Sequence, residues 1–299
     1  MYAGIRDDGL RWLGKRLGYT DYFEGMRELG LKGLEIYVDR SLKVSDFSQL
    51  GVSRTASFNL NSEEELQRFL ELVRKNGVKL SAILIENDFG KEDLQPEIKW
   101  MIDAAKVAPK LGIDVVRINS VMTVSPSVNL ETYAEVTAKA IAQALKETEG
   151  VFFAIENHGV LGNDPQFIRA VIKKVGSERV GMNLDPGNFY WAGYPLSSVY
   201  SFVKEFAPIA KHMHVKNLSF PEPLREQRRD WCREWPKEAK PVYEGDIDYR
   251  LVLQIMKDAG YDRDVTLEDE SLSKYSTPEA IGILKKDAAY INDLIKELQ

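Results

Sequence analysis

Strand-sized apolar runs alternate along this chain with amphipathic stretches. The runs fall at 2–5, 33–38, 78–85, 113–119, 152–156, 180–185, 211–216 and 265–268. Most are apolar almost throughout, the pattern of strands buried on both faces of a parallel sheet. Between them lie helical patterns. Phe23, Met26 and Leu29 share one face before Gly30, and Ser62 with Glu65 forms a capping box ahead of Leu66, Phe69, Leu70 and Val73. Further helices are predicted at 96–111, 130–148, 165–175, 197–206, 249–259 and 278–298. Eight such βα units favour closure into a (β/α)8 barrel over an open doubly wound sheet, and no Gly-rich dinucleotide fingerprint or phosphate loop is present.

One stretch breaks the rhythm. After the seventh strand, 217–244 carries four prolines, the basic residues Arg225, Arg228, Arg229 and Arg233, and the pair Trp231 and Trp235. The tryptophan spacing predicts a short helix with an apolar side. The insertion is read as a lid over the barrel mouth or an interface arm, with a solvated surface loop as the plain alternative. The chain is thus expected to be a single α/β domain, 1–299, with 217–244 as its insertion; a barrel of this kind takes about 250 residues.

Composition narrows the class. A net charge of −6 argues against a broad nucleic-acid surface. The one cysteine, Cys232, excludes an intrachain disulfide framework and a cysteine-based zinc site. No apolar run approaches a membrane span, and 1–6 lacks a signal-peptide core, so a cytoplasmic location without membrane partners is expected.

The chemistry sits at the strand ends. Glu156, Asp185, His214 and Glu268 each close a predicted strand; from 156 to 185 is 29 residues, and from 185 to 214 is 29 again. That is the length of one βα unit, so the four side chains should converge at the mouth as metal ligands. Three carboxylates and an imidazole form a mostly hard set, suited to Mn²⁺ or Mg²⁺, with Co²⁺ or Zn²⁺ as alternatives. His212 shares the inward face with His214 but lies a layer lower, where it supports the site or fills a polar layer. Lys216 faces the same way. Arg117, beside Asn119, is read as a holder of a substrate oxygen or anionic group, or else as a structural ion pair with Glu35. His158 is a candidate for a substrate hydroxyl, or for loop structure. Phe189, Tyr190 and Trp191 offer an aromatic wall or core packing.

The segments Ile155-Glu156-Asn157-His158-Gly159, Leu184-Asp185-Pro186-Gly187-Asn188, His214-Val215-Lys216-Asn217 and Leu267-Glu268 resemble the xylose isomerase-like TIM barrels, most closely the sugar phosphate isomerase/epimerase branch. Gly245-Asp246-Ile247-Asp248 and Gly260-Tyr261-Asp262 are similar to that branch as well. The resemblance implies a divalent metal, often manganese, on Glu156, Asp185, His214 and Glu268. It also implies that Glu156 and Glu268 are the catalytic acid and base of an isomerase or epimerase passing through an enediolate, on a small carbohydrate. Substrate contacts would come from His158, Asn188, Lys216, Arg117 and His212, and a homo-oligomer is compatible with this reading. The chain departs from the family at Asn188, where many epimerases place histidine, and at Asn217, where His-x-Lys-Asp is frequent. These departures keep a metal-dependent lyase in view, one that dehydrates a hydroxy-keto acid or cleaves a keto-glycoside on the same site. A multi-zinc endonuclease needs many more histidines than His158, His212 and His214. A non-catalytic barrel is opposed by the retention of Glu156 and Glu268.

Overall fold

In the computed structural model, which describes residues 1–7, 9, 21–46, 57–231 and 237–299, eight parallel strands close into a barrel. They are β1 (Tyr2–Arg6), β2 (Gly33–Tyr37), β3 (Lys79–Leu84), β4 (Val115–Ile118), β5 (Phe152–Glu156), β6 (Val180–Leu184), β7 (Ala210–Val215) and β8 (Asp264–Leu267). The first strand, short as it is, closes the ring by pairing with β8 on one side and β2 on the other. The helices α1 (Tyr22–Leu29), α2 (Glu63–Lys75), α3 (Gln95–Val107), α4 (Leu130–Lys146), α5 (Pro165–Val175), α6 (Leu196–Phe206), α7 (Tyr249–Asp258) and α8 (Thr277–Leu298) surround it. No helix among the described residues is long and apolar enough to cross a membrane.

Helix boundaries follow local chemistry. Ser62 opens α2 by accepting from the Glu65 amide, but the Glu65 carboxylate accepts from Asn59 N and so leaves the predicted box half formed, whereas Ser276 with Glu279 caps α8 reciprocally. The helix predicted at 96–111 instead ends as an α-helix at Val107, and Ala108–Leu111 tightens into a 3-10 turn. Pro109 is the reason: it has no N–H for the i→i−4 ladder.

Alternation along the strands sends Ile36, Ile155, Leu184, Met213, Val215 and Val265 into the main apolar core. The intervening polar residues turn inward. Glu35, Arg117, Glu156, Asn183, His212, His214 and Asp264 are all buried, so the upper barrel interior is an ionic network rather than an apolar layer. Such a network costs desolvation energy and persists only when nearly every group is paired.

Three of the odd strands, β1, β3 and β5, are tied at their ends to the strand that follows by an acidic or amide side chain, and a similar side chain after β7 holds the segment before α7. Asp7 accepts from the Tyr37 amide (3.1 Å), and Asn87 both donates to the Asn119 carbonyl and accepts from its amide. Asn157 grips the Asp185 backbone in the same two-handed way, at 2.7 and 2.8 Å. Asn217 holds Ile247, in the segment leading to α7, through two bonds of 3.0 Å.

The insertion after β7 is pinned down rather than loosely solvated. Asn217–Leu218 pairs antiparallel with Ala239–Lys240. Asp246 accepts from the Tyr190 and Ser219 hydroxyls and the Phe220 amide, and pairs with Arg225 (3.0 Å). Arg229 lies on the rings of Tyr190 and Phe220 while donating to the carbonyls of Tyr190 and Tyr194. Arg228 donates to Ala192 O and covers Tyr194. The basic run is therefore largely consumed in holding the loop above β6. Trp231 meets Trp191 edge-on at 5.5 Å, while Cys232, Arg233 and the Trp235 half of the predicted tryptophan helix lie outside the described residues.

Candidate metal centre

One of the three strand-end acids, Asp185, is set by a helix-like turn. β6 stops at Leu184, and Asp185 is the N-cap of a one-turn helix, Pro186–Trp191, its Oδ1 accepting from the Asn188 amide at 3.2 Å. Pro186 at the first helical position fixes φ, and Gly187 is required by proximity: a Cβ there would lie 2.8 Å from the Lys216 carbonyl oxygen. The turn buries Phe189 and Tyr190 completely, against Phe202, Phe206 and Phe220. They pack the core rather than form an aromatic wall for a substrate. Glu268 directly follows β8, its amide donating to Val215 O.

The structure brings Glu156, Asp185, His214 and Glu268 together at the mouth, each buried, with one ligand atom of each within 4.8 Å of the others. The nitrogen that faces this cluster is His214 Nδ1, 3.0 Å from Glu156 Oε1 and 3.4 Å from Glu268 Oε2. The other nitrogen, Nε2, lies 2.9 Å from Glu35 Oε2. Burial pushes the His214 imidazole down to about 4, more than its bond to Glu35 restores. The ring is therefore neutral near pH 7 and has a single proton for two carboxylates. If Nε2–H serves Glu35, Nδ1 accepts from the Asn183 amide at 3.1 Å and also faces two carboxylate oxygens with which it shares no proton, an arrangement that a cation among them would relieve. The donor set therefore fits a hard or borderline divalent metal held by Glu156, Asp185, His214 and Glu268. Asn188 Oδ1, buried without a hydrogen-bond donor, fits the same reading.

Beneath lies a second tier that sequence reasoning placed differently. Glu35 does not pair with Arg117; it joins His214 and His212, whose Nε2 is 3.1 Å from its Oε1. His212 meets Asp264 Oδ2 on its other side at 2.7 Å. Burial works against the His212 charge, but Asp264 and then Glu35 outweigh it and raise the imidazole to about 10. For Glu35, burial is likewise overcome by His214 and His212, which hold its carboxyl well below the usual range. An acid inside β2, flanked by apolar residues, gave only one signal: it broke an otherwise apolar strand.

Arg117 pairs instead with Glu156 and donates to Ile85 O. Burial and then Arg6 lower its guanidinium to about 10, so it remains charged. Arg6, at the end of β1, pairs with Glu268 and lies 3.7 Å from Glu35; the sequence reading passed over it. Lys216 Nζ sits between Asp185 Oδ2 (3.1 Å) and Glu268 Oε2 (2.9 Å), with Glu270 at 3.6 Å. Tyr249 fixes the Lys216 backbone, donating to its carbonyl and accepting from its amide. His158 Nδ1 is 4.0 Å from Glu156 Oε2. First burial, then Lys216, Arg117 and Arg6 push its imidazole down to about 2, which keeps it neutral. Asn188 Nδ2 reaches Glu156 Oε1 at 3.4 Å.

Comparison with known proteins agrees with this architecture. The IolI protein with a bound zinc atom superposes with a TM-score of 0.71 at 16% identity, covering 99% of both chains. AsbF of Bacillus anthracis, described as a probable 3-DHS dehydratase of petrobactin synthesis, gives 0.67 at 16% identity over 97% of this chain and 98% of its own. A sugar phosphate isomerase/epimerase from Parabacteroides distasonis gives 0.64 at 14% identity, over 97% of this chain and 93% of that one. At such identities these neighbours show the fold alone. In sequence, 56% of this chain is 25% identical to the uncharacterized protein MJ1311 of Methanocaldococcus jannaschii, and 53% is 26% identical to a probable endonuclease 4 of Campylobacter concisus. The matches span 51% and 60% of those relatives' lengths. Residues 23–294 match the family described as xylose isomerase-like TIM barrel, and the chain belongs to it.

Proposed function

We propose that this protein is a divalent-metal-dependent isomerase or epimerase of a sugar or sugar derivative, with Mn²⁺ the first choice of metal. The observation that carries the proposal is the pair Glu156 and Glu268, both within 3.4 Å of one face of His214, each with a second oxygen held by an arginine. A metal bound among these ligands supplies Lewis acidity, which acidifies the carbon next to a substrate carbonyl. Glu156 or Glu268 then removes that proton to give an enediolate, and the other returns it to a different carbon or face. Arg117 and Arg6 keep the two carboxylates ionised and fix their direction. Neutral His158 and Asn188 line the same mouth as hydrogen-bonding groups for substrate oxygens.

A lyase outcome has one feature in its favour. Lys216 Nζ, 2.9 Å from Glu268, is a proton donor beside the base, suited to an oxygen expelled from the neighbouring carbon. The likeness to an endonuclease is outweighed by the metal side chains. The chain has three histidines, and of the two groups of side chains among the described residues that could hold a metal, the lower one (Glu35, His212 and His214) shares His214 with the upper and has His212 engaged by Asp264, which favours one metal and a small-molecule substrate. The test is solvent exchange. Mn²⁺-loaded protein incubated with a panel of ketoses in D₂O should place deuterium beside the carbonyl and yield an isomeric sugar. Release of water or an aglycone would select the lyase; no exchange with any carbonyl substrate rejects both.

A further inference from the structure

Four residues hold the same place in the odd strands, each immediately before a clamping side chain: Arg6 before Asp7, Glu86 before Asn87, Glu156 before Asn157 and Lys216 before Asn217. Three of them reach into the mouth, where Arg6 pairs with Glu268, Glu156 with Arg117 and Lys216 with Asp185. The strand register puts Glu86 in the same ring. Leu84 pairs with Arg117 and Arg117 with Ala154, so two residues further on Glu86 and Glu156 stand on either side of Asn119. Alternation agrees, because Ala82 and Ala154 pack together inside the barrel, and Glu86 lies four residues after the first and Glu156 two after the second. Arg117 feels the Glu86 charge, which acts to raise its guanidinium.

Glu86 differs from the other three in one respect. It is exposed, and it makes no hydrogen bond or ion pair with any of the described residues. Asn119 beside it is similarly unused. Its side chain falls on the Arg117 side of the strand and is 6% exposed, yet Oδ1 is buried without a hydrogen-bond donor. Its backbone, by contrast, is held at both ends by Asn87. Leaving a buried amide oxygen without a donor is costly, and a ligand that donates to it removes the cost. An ionised carboxylate and an amide oxygen both accept, so together they select a ligand rich in donors. Sugar hydroxyls meet that need, whereas a phosphate at this place would face the Glu86 charge. The four candidate metal ligands come from the ends of β5 to β8, so β3 and β4 border the mouth where no ligand stands. We propose that Glu86 and Asn119 form a substrate subsite that binds the hydroxyls of the carbon chain beyond the reacting carbons, an end that carries no phosphate. The inference rests on the isomerase reading above and deepens it.

Dihydroxyacetone and D-fructose present the same hydroxyketone to a metal, but only fructose has a hydroxylated chain beyond it. Deuterium exchange from D₂O into dihydroxyacetone, D-fructose, D-tagatose and D-psicose by Mn²⁺-loaded protein gives KM and kcat for each. Glu86→Ala should raise KM for the preferred ketohexose about tenfold, the loss of one hydrogen bond to a charged group, and Asn119→Ala should raise it several-fold. Exchange into dihydroxyacetone should stay within about twofold in both variants. Glu86→Gln, which keeps one accepting oxygen, should recover part of the ketohexose affinity. Electron paramagnetic resonance on the same samples counts the retained Mn²⁺. Unchanged ketohexose KM in both alanine variants, with Mn²⁺ retained, overturns the subsite and leaves the isomerase reading standing. So does an equal loss for dihydroxyacetone, which would make these residues act on the reacting end through Arg117. Exchange confined to dihydroxyacetone, or a lower KM for D-fructose 6-phosphate than for D-fructose, overturns it as well. No exchange with any of the ketoses rejects the isomerase reading, and the inference with it.

Discussion

Glu35 decides how His214 presents itself. Glu35 Oε2 lies 2.9 Å from Nε2, and in the tautomer that places the proton on Nε2 the lone pair on Nδ1 faces the side of Glu156, Asp185 and Glu268. Partners of this kind fix the tautomer of a metal-binding imidazole, and their loss typically costs about 10–100-fold in metal affinity. Glu35→Gln, which keeps an acceptor for only part of the network, should weaken Mn²⁺ binding by about tenfold or more in equilibrium dialysis. Unaltered affinity would show that Glu35 has no part in orienting the ring. His212 gives a pH signature. Its folded value is raised to about 10 against an ordinary 6.5, so its contribution to stability is complete below about 6.5 and is lost as pH climbs toward 10. Thermal melts of metal-free protein should fall by several degrees over that window, and His212→Gln should flatten the fall. The strand-end residues were legible at this scale because a 29-residue repeat puts them at one height. Glu35 and Arg6 were not. Inward acids and bases in a barrel have several neighbours across the axis, and sequence does not say which one each will choose; Arg117 was read either as a substrate holder or as a partner of Glu35, and the acid it pairs with is Glu156.

Among the elements, the odd-strand clamps explain why the acids stand where they do. Asn157 grips the Asp185 backbone with both ends of its amide, and its Nδ2 also reaches Asn163 Oδ1 at 3.4 Å, so the end of β5 sets the start of the turn that carries Asp185 and Asn188. Replacing it strands a buried N–H and a buried carbonyl at once. Asn157→Ala should lose about 2–4 kcal/mol in urea unfolding, from two orphaned backbone groups. It should also weaken Mn²⁺, because Asp185 loses its anchor; Asn157→Asp, which keeps only the acceptor, should recover part of the loss. The eight strands and their order were readable from apolar runs and glycine stops, since parallel barrel strands are buried on both faces. The clamps were not, because an Asn after a strand reads equally well as a turn residue or a helix cap. The same ambiguity hid the Pro186–Trp191 turn, where Asp185-Pro186-Gly187 looked like the end of a strand and is the start of a helix.

Over the whole molecule the barrel and the insertion meet at Asp246, which gathers Tyr190, Ser219, Phe220 and Arg225. Tyr190 belongs to the turn that carries Asp185, so the insertion and the candidate ligand share one buried tyrosine. The insertion's position was visible in the sequence as a break in spacing, but its attachment was not. Sequence left its arginines open between a lid, an interface arm and a solvated loop; Arg228 and Arg229 have carbonyl and aromatic partners in 190–194. If the loop is a lid, releasing it should spare the metal and damage turnover. Asp246→Ala removes four contacts at one point without touching Glu156, Asp185, His214 or Glu268. Tryptic cleavage within 225–231 should accelerate, and the Trp191–Trp231 contact should loosen, read as a change in tryptophan emission. Mn²⁺ affinity should stay within about twofold, because no proposed ligand is moved directly. Activity toward whichever substrate the exchange assay identifies should fall about tenfold or more, mainly through KM if the loop closes over the substrate. Accelerated cleavage with unchanged kinetics would instead make 217–244 a structural strap or a contact between molecules, and the mouth of the barrel would be open to solvent throughout the reaction.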